Sequence, residues 1–152
     1  MDALLSALPL RRGRLALAAI PASPAARAAL LEFAPDLVLS LTPDDERARL
    51  GAADLPEWLS TRGIAWRAFP VADFSTPESP GWPPLAAEIA TILDAGGRVL
   101  VHCRAGLGRS GMIALRLMAE AGEPPVEALA RLRAARPGTV ETEAQYRWAA
   151  AP

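Results

Sequence analysis

The stretch from Arg98 to Gly111, Arg-Val-Leu-Val-His-Cys-Arg-Ala-Gly-Leu-Gly-Arg-Ser-Gly, restricts the fold of this chain more than any other. It opens with Val99 to Val101, an apolar run typical of a strand covered on both faces of its sheet. From Ser110 onward the pattern is helical. Gly106 and Gly108 therefore lie in a loop between strand and helix, where helix-end amides and inward-turned loop amides favour negative charge. The sequence predicts an anion-binding loop.

This loop holds the only cysteine and the only histidine of the chain, Cys103 and His102. We expect the loop amides and the guanidinium of Arg109 to stabilise Cys103 as a thiolate, which is the nucleophilic form. Arg109 offers a planar fork of donors that fits two oxygens of a phosphate group. We expect His102 to be buried and hydrogen-bonded, supporting the loop rather than donating a proton. An inert core thiol is the commoner state of a lone cysteine, but the glycine loop and Arg109 favour phosphoryl transfer through sulfur.

The pattern His102-Cys103, five residues, Arg109-Ser110 resembles the signature of the cysteine-dependent protein tyrosine phosphatases. Residues 105–110, Ala-Gly-Leu-Gly-Arg-Ser, are most similar to the dual-specificity branch of that superfamily. Upstream, Phe-Pro-Val-Ala-Asp at 69–73 resembles the general-acid loop, especially that of the cyclin-dependent-kinase-associated phosphatases. Downstream, residues 140–146 resemble the family's glutamine-bearing segment. The resemblance covers roughly residues 37–148.

The resemblance implies the four-stranded phosphatase version of an α/β fold and a set of catalytic roles. Cys103 would be the nucleophile, Asp73 the general acid, and Gln145 the residue that orients water. Ser110 would help Cys103 to leave as a thiolate. The implied phosphate-binding residues are Arg104, Ala105, Gly106, Leu107, Gly108 and Arg109, with His102 as a supporting residue. No metal or other cofactor is implied, and a phosphate or sulfate ion is expected in the loop.

The residues alone leave simpler roles open for several of these side chains. Asp73 could cap a turn, a frequent role of aspartate in loops. Ser110 could be only the N-cap of the following helix, and Gln145 an ordinary helix-surface residue. Arg104 could contribute its amide alone while its side chain faces solvent.

Other loop chemistries fit less well. Gly106 to Gly111 matches the dinucleotide pattern G-x-G-x-x-G, but a proline pair and a helix follow where that fold needs a second strand. A nucleotide P-loop would need a glycine in place of the cysteine and a lysine in place of the arginine. A sulfurtransferase of the rhodanese type remains open, although it would need neither Asp73 nor Gln145.

Strands that alternate with helices predict an α/β fold, with a mainly parallel central sheet of about four strands flanked by helices. The predicted strands are 14–20, 37–41, 64–69 and a central strand before the loop. A long proline-rich loop, Pro70 to Pro84, precedes a helix with the apolar stripe Leu85, Ile89, Ile92 and Leu93. Ser23, Thr42 and Thr142 are predicted helix caps, and the helix after the loop is apolar nearly all round.

Composition limits the remaining possibilities. With 152 residues and 51% hydrophobic composition, we expect one phosphatase domain over residues 1–152. A net charge of −1 argues against nucleic acid as a partner. The apolar run after Arg14 is six residues, too short for a membrane span or secretion core. A single cysteine fits a reducing, cytoplasmic location. All sixteen basic residues are arginine, which indicates a GC-rich, bacterial coding sequence.

The substrate is a phosphorylated protein if the resemblance holds in full. Related pockets also act on phosphoinositides or RNA 5′ ends, and Arg104 would suit such polyanions. A phosphate-binding pseudophosphatase that only recognises partners is a further alternative.

Overall fold

Five strands form one sheet in the computed structural model, which describes residues 3–78 and 80–152. The strands are β1 (Leu5–Leu10), β2 (Gly13–Ala18), β3 (Leu37–Ser40), β4 (Ala65–Ala68) and β5 (Arg98–His102). Their order across the sheet is β1-β2-β5-β3-β4, and only β1 runs antiparallel to its neighbour. The predicted α/β fold with a mainly parallel sheet is therefore confirmed, with one strand more than the four expected.

The additional strand is β1, which the sequence analysis did not predict. Its sequence, Leu-Ser-Ala-Leu-Pro-Leu, contains Pro9, a residue that breaks the hydrogen-bond ladder of a central strand. At the edge of a sheet one side of the strand has no partner, so Pro9 is tolerated there. Pairing of Leu8 with Leu15 sets the register of β1 on β2.

Seven helices connect and cover the strands of the described chain. They are α1 (Pro24–Phe33), α2 (Asp44–Arg49), α3 (Leu55–Ser60), α4 (Trp82–Asp94), α5 (Gly108–Glu120), α6 (Pro125–Ala135) and α7 (Glu143–Ala150). Ser23 and Thr142 cap α1 and α7 through their hydroxyls, as predicted. The predicted cap of α2 is wrong, because Pro43 occupies the cap position while the Thr42 side chain is buried one residue earlier.

The proline-rich loop is shorter than predicted. We expected it to run from Pro70 to Pro84, of which residue 79 lies outside the described residues, but α4 already begins at Trp82. Pro83 and Pro84 thus lie in the first turn of α4, where a missing amide hydrogen costs nothing.

The two faces of the sheet bury different sets of residues. On one face Val99, Val101 and Cys103 pack in a cluster with α4 and α5. On the other face Val38 and Leu100 pack with α1 and α3. Ten of the thirteen residues of α5 are buried, as predicted for a helix that is apolar nearly all round. Because β3, β4 and β5 are parallel, the segments that follow them meet at one edge of the sheet.

Candidate active site

The loop that joins β5 to α5 lies at this carboxyl edge. Cys103, the first residue after β5, is 3% exposed, and α5 begins at Gly108 with Leu107 at the N-cap position. The alternative that Ser110 caps the helix is therefore wrong, since it is the third residue of the first turn. Its hydroxyl is fully buried and has no hydrogen-bond partner among the described residues. A buried hydroxyl without a partner is costly, which is consistent with a ligand-facing role.

The amides and the carbonyls of this loop differ in their hydrogen bonding. Within the described residues, none of the amides of residues 104–109 donates a hydrogen bond, whereas every carbonyl of residues 103–107 accepts one. The carbonyl of Cys103 accepts from His102 Nδ1, and that of Arg104 accepts from the amide of Ile20. The carbonyls of Ala105 and Gly106 accept from Nη2 and Nε of Arg136. The carbonyl of Leu107 accepts from the amides of Gly111 and Val140. Since carbonyl and amide point in opposite directions across a trans peptide, fixing the carbonyls outward leaves a continuous row of amide donors for an anion.

Arg136 fixes two of these carbonyls, and the sequence analysis did not identify it. Its side chain is buried, donating to the carbonyls of Ala105 and Gly106 at 2.9 and 2.8 Å and to Ala3 O and Ser6 Oγ near β1 at 2.9 and 3.0 Å. The loop is thereby tied to the edge of the sheet. Arg136 precedes Pro137 in a sequence whose basic residues are all arginine, so no local pattern indicates this role.

The backbone at Gly106 has a conformation and a close contact that together require glycine. Its φ is +74°, in the left-handed region. A Cβ at this position would also lie 2.5 Å from the carbonyl carbon of Ala18 at the end of β2. The predicted need for glycine in the loop is explained by this close approach.

Arg109 is held by the carboxylate of Glu46, a residue that no motif in the sequence assigns to the site. Its guanidinium is 1% exposed and donates to Glu46 Oε1 and Oε2 at 2.8 and 2.7 Å, and to Val71 O at 2.9 Å. Burial alone would lower the pKa of Arg109, but the hydrogen bonds that it donates to Glu46 and the negative charges around it raise that pKa. The Arg109 hydrogen bond correspondingly lowers the pKa of Glu46, despite its burial. The buried Nε of Arg109 has no partner among the described residues, which leaves one directed donor for a ligand.

Asp73 reaches this arginine from the proline-rich loop. Its Oδ1 lies 3.5 Å from Arg109 Nη2 and accepts a 3.0 Å hydrogen bond from the amide of Phe74, whose φ is +60°. The Asp73 side chain is 40% exposed. The predicted general acid and the predicted phosphate ligand are therefore neighbours, although thirty-six positions separate them in the sequence.

Gln145 is fully buried, so the reading of it as a helix-surface residue is wrong. Its Oε1 accepts from the amides of Glu141 and Thr142 at 3.0 and 3.2 Å, forming a capping box at α7. Its Nε2 donates to Ser75 O at 3.5 Å. Gln145 thus links α7 to the loop that carries the predicted general acid.

His102 is fully buried, as predicted, and burial lowers its pKa to about 4. It is therefore a neutral hydrogen-bonding residue near pH 7 and not a proton donor to a substrate. Arg104, in contrast, is exposed, and its side chain has no partner within residues 3–78 and 80–152. His102 is the last residue of β5, whereas Arg104 lies in the loop beyond the strand, where its side chain is open to solvent.

The described residues contain no group of three or more His, Cys, Asp or Glu side chains placed to hold a metal ion. None of their helices combines the length and apolar character that crossing a bilayer requires.

Comparison with known proteins agrees with this geometry. Residues 36–150 match the family described as dual specificity phosphatase, catalytic domain. Kinase associated phosphatase, solved with serine in place of its catalytic-site cysteine, has a similar fold. The TM-score is 0.86 at 24% sequence identity, and the match covers 98% of this chain and 93% of that chain. Tk-PTP in its active form is 32% identical, with a TM-score of 0.76 over 94% of this chain and 92% of that chain.

A curated relative is cyclin-dependent kinase inhibitor 3 of Rattus norvegicus, 33% identical over 89 residues, which are 57% of this chain and 42% of that protein. The chain thus spans less than half the length of the curated relatives it matches. These relatives come from human, rat and Candida albicans, so the expectation of a bacterial source finds no support. The match of residues 36–150, most of the chain, and the likeness to Tk-PTP together show that this protein belongs to the dual specificity phosphatase family.

Proposed function

We propose that this protein is a cysteine-dependent phosphatase that hydrolyses phosphomonoesters through a cysteinyl-phosphate intermediate. The observation that carries the proposal is the row of unpaired amides at residues 104–109, placed between a buried thiol, Cys103, and a buried guanidinium, Arg109. A backbone amide that no protein group pairs must be satisfied by water or by a ligand. A row of such amides beside the positive end of α5 is a site for a tetrahedral oxyanion, such as phosphate or sulfate.

Substrate binding would use these amides together with the free Nε of Arg109. Glu46 holds the other end of the guanidinium in two hydrogen bonds, so the orientation of Arg109 is fixed before a ligand arrives. Donors that need no reorganisation stabilise the charge that develops on the phosphoryl oxygens in the transition state.

In the first step the Cys103 thiolate attacks phosphorus, an S–P bond forms, and the bond from phosphorus to the leaving oxygen breaks. Asp73, protonated, gives its proton to that oxygen, so the product leaves as an alcohol or phenol. In the second step Asp73 takes a proton from water, whose oxygen attacks phosphorus and breaks the S–P bond. The Ser110 hydroxyl would donate to the departing thiolate, and Gln145 would orient the water.

A phosphorylated protein is the proposed substrate. The names of the relatives support it, since they include receptor-type tyrosine-protein phosphatase H and kinase associated phosphatase. One observation favours a second candidate, a polyanionic phosphomonoester such as a phosphoinositide or an RNA 5′ end. Arg104 and Arg49 are exposed, have no partner among the described residues, and act electrostatically on Glu46 beside the site.

Hydrolysis of an aryl phosphate by the wild-type chain and by Cys103→Ser tests the chemistry. We expect turnover only in the wild type, while both forms gain thermal stability from inorganic phosphate, because ligand binding to the native state stabilises it. Turnover by Cys103→Ser would refute the nucleophile. Phosphate binding by a wild type that hydrolyses no ester would instead indicate the pseudophosphatase alternative.

A panel of phosphopeptides, phosphoinositides and 5′-phosphorylated RNA, with Arg104→Gln as the matched variant, sorts the substrates. If a polyanion is the substrate, its kcat/KM should fall in Arg104→Gln, while that of an aryl phosphate with a single phosphate group should not. Cys103 must stay reduced for this chemistry, and this requirement supports our proposal of a cytoplasmic location.

A further inference from the structure

Three polar side chains form a line across the sheet below the phosphate loop. Trp66 on β4, Ser40 on β3 and His102 on β5 are joined by contacts of 2.8 Å, from Trp66 Nε1 to Ser40 Oγ, and 2.5 Å, from Ser40 Oγ to His102 Nε2. His102 Nδ1 lies 3.1 Å from Cys103 O. This line lies on the α1 and α3 face of the sheet, whereas the Cys103 side chain packs on the opposite face.

The chemistry of the end groups determines the direction of every hydrogen bond in the line. The indole Nε1 of Trp66 can only donate, and the carbonyl of Cys103 can only accept. His102 Nδ1 must therefore carry the proton, so its Nε2 is an acceptor. The single hydrogen of the Ser40 hydroxyl then points at Nε2, and its oxygen accepts from Trp66. The line has one consistent arrangement, in which every group is satisfied.

The surroundings keep the imidazole in this neutral state. Ser40 and His102 are fully buried, and the guanidinium of Arg47 lies 5.3 Å from the ring of Trp66 and covers it. The charged groups that act on His102 are the cations Arg47 and Arg109, which disfavour a second proton, and the anion Glu46, which favours one. Burial, the largest effect, and the two cations together outweigh the hydrogen bond to the Cys103 carbonyl and the carboxylate, both of which favour the protonated ring.

The Cys103 carbonyl matters because of the peptide that follows it. The described residues contain no cis peptide bond, so the amide of Arg104 points away from the carbonyl that His102 holds. A carbonyl fixed toward His102 therefore aims the first amide of the row toward the anion. It also fixes the backbone from which the nucleophilic side chain projects.

We infer that Ser40 is a positioning residue of the phosphatase and that Trp66 orients its hydroxyl: Ser40 holds His102 in its Nδ1-protonated tautomer, and His102 thereby orients Cys103 and the Arg104 amide. The inference rests on the proposed function for its catalytic consequence, but its structural part does not. No sequence motif marks either residue, since both lie on strands remote from the loop in the chain.

The single histidine makes the tautomer directly measurable. With ¹⁵N-labelled histidine, the wild-type spectrum at pH 7 should show one imidazole with its proton on Nδ1. In Ser40→Ala, Nε2 loses its donor, so we expect a mixture of tautomers. Trp66→Phe keeps the aromatic packing and the Ser40 hydroxyl, so the tautomer should persist. Val38→Ala, a buried truncation on the same strand and face, is the matched control and should leave the spectrum unchanged.

Activity and phosphate affinity give the functional outcome. In Ser40→Ala we expect kcat/KM for an aryl phosphate to fall about tenfold, the size of one lost hydrogen bond, and inorganic phosphate to bind several-fold more weakly. Trp66→Phe should lose less, and Ser40→Thr, which keeps the hydroxyl, should restore both values. Val38→Ala should lower the melting temperature without changing either.

Several results would overturn the inference. They are a wild-type imidazole protonated on Nε2, an unchanged tautomer in Ser40→Ala, or a changed tautomer with unchanged phosphate binding and turnover. If the wild type hydrolysed no ester, the proposed function would fail, while the spectra and the phosphate affinities would still decide the role of Ser40.

Discussion

Asp73 is placed to act on the leaving group without being needed for phosphate binding. Its carboxylate lies 3.5 Å from Arg109 Nη2, on a loop tied to the site by Val71 and Ser75. Asp73→Asn removes the proton donor, so turnover of an alkyl or aryl phosphate should fall by about a hundred- to ten-thousandfold. Phosphate affinity should be largely unchanged, because the row of loop amides and the Arg109 guanidinium that bind the anion stay in place.

The matched control for Asp73→Asn is Glu78→Gln, which removes a charge from an exposed residue of the same loop. It should retain wild-type turnover. Equal losses in both variants would show that loop charge, and not proton transfer by Asp73, sets the rate.

His102 makes the stability of the fold depend on pH. Its pKa is about 4 in the folded chain against 6.5 for an unperturbed histidine. Between these values the unfolded state binds more protons, so stability is fully present above pH 6.5 and is lost as the pH falls toward 4. The free energy of unfolding, measured with urea, should fall by about 2 kcal/mol between pH 7 and pH 5.

The range from pH 7 to pH 5 reports on His102 because Glu46, the carboxylate beside the site, titrates at lower pH. The pKa of Glu46 is lowered from 4.5 in the folded chain, so its contribution is lost only at more acid pH. A stability that stays constant between pH 7 and pH 5 would contradict the buried neutral state of His102.

At the scale of elements, the phosphate loop is held between a strand, a helix and the sheet edge by Arg136. Arg136→Gln should release the carbonyls of Ala105 and Gly106, and inorganic phosphate should bind at least tenfold more weakly as the amide row loses its orientation. Isothermal titration with inorganic phosphate measures this loss. Arg131→Gln is the matched control, because Arg131 also bonds to β1, at Pro9 O, but does not contact the loop.

A phosphate affinity equal to that of the wild type in Arg136→Gln would show that the loop keeps its shape without this residue. A weakened affinity in both arginine variants would assign the effect to β1 and not to the loop carbonyls.

The sequence predicted those elements whose signals are local. Ser23 and Thr142 mark helix starts by a short-range hydrogen bond, and the buried α5 is visible in its own composition. The residues it missed act over long range. Glu46 meets Arg109 across sixty-three positions and Arg136 meets Ser6 across one hundred and thirty, and these pairs exist only once the sheet has formed. The prediction that Thr42 caps α2 is wrong because Pro43, with its fixed φ, occupies the N-cap position.

For the whole molecule, the count of cysteines decides its response to oxidation. Cys103 is the only cysteine in the chain, so hydrogen peroxide cannot convert it to an internal disulfide. We expect inactivation to pass through a sulfenic acid, a sulfenamide or a mixed disulfide that thiols reverse, and mass spectrometry of the intact chain to show these masses. Because Cys103 is 3% exposed, a disulfide-linked dimer as the main product would contradict this expectation.

The continuity between the phosphate loop and the buried α5 has an evolutionary consequence. Substitutions in the loop or in the first turns of α5 disturb the interior of the molecule, so most of them should be eliminated before any change of activity can be selected. The exposed residues around the opening, among them Arg49, Phe74 and Arg104, carry no such penalty. Descendants of this protein are thus free to change the molecule they recognise while the reaction itself is inherited unchanged.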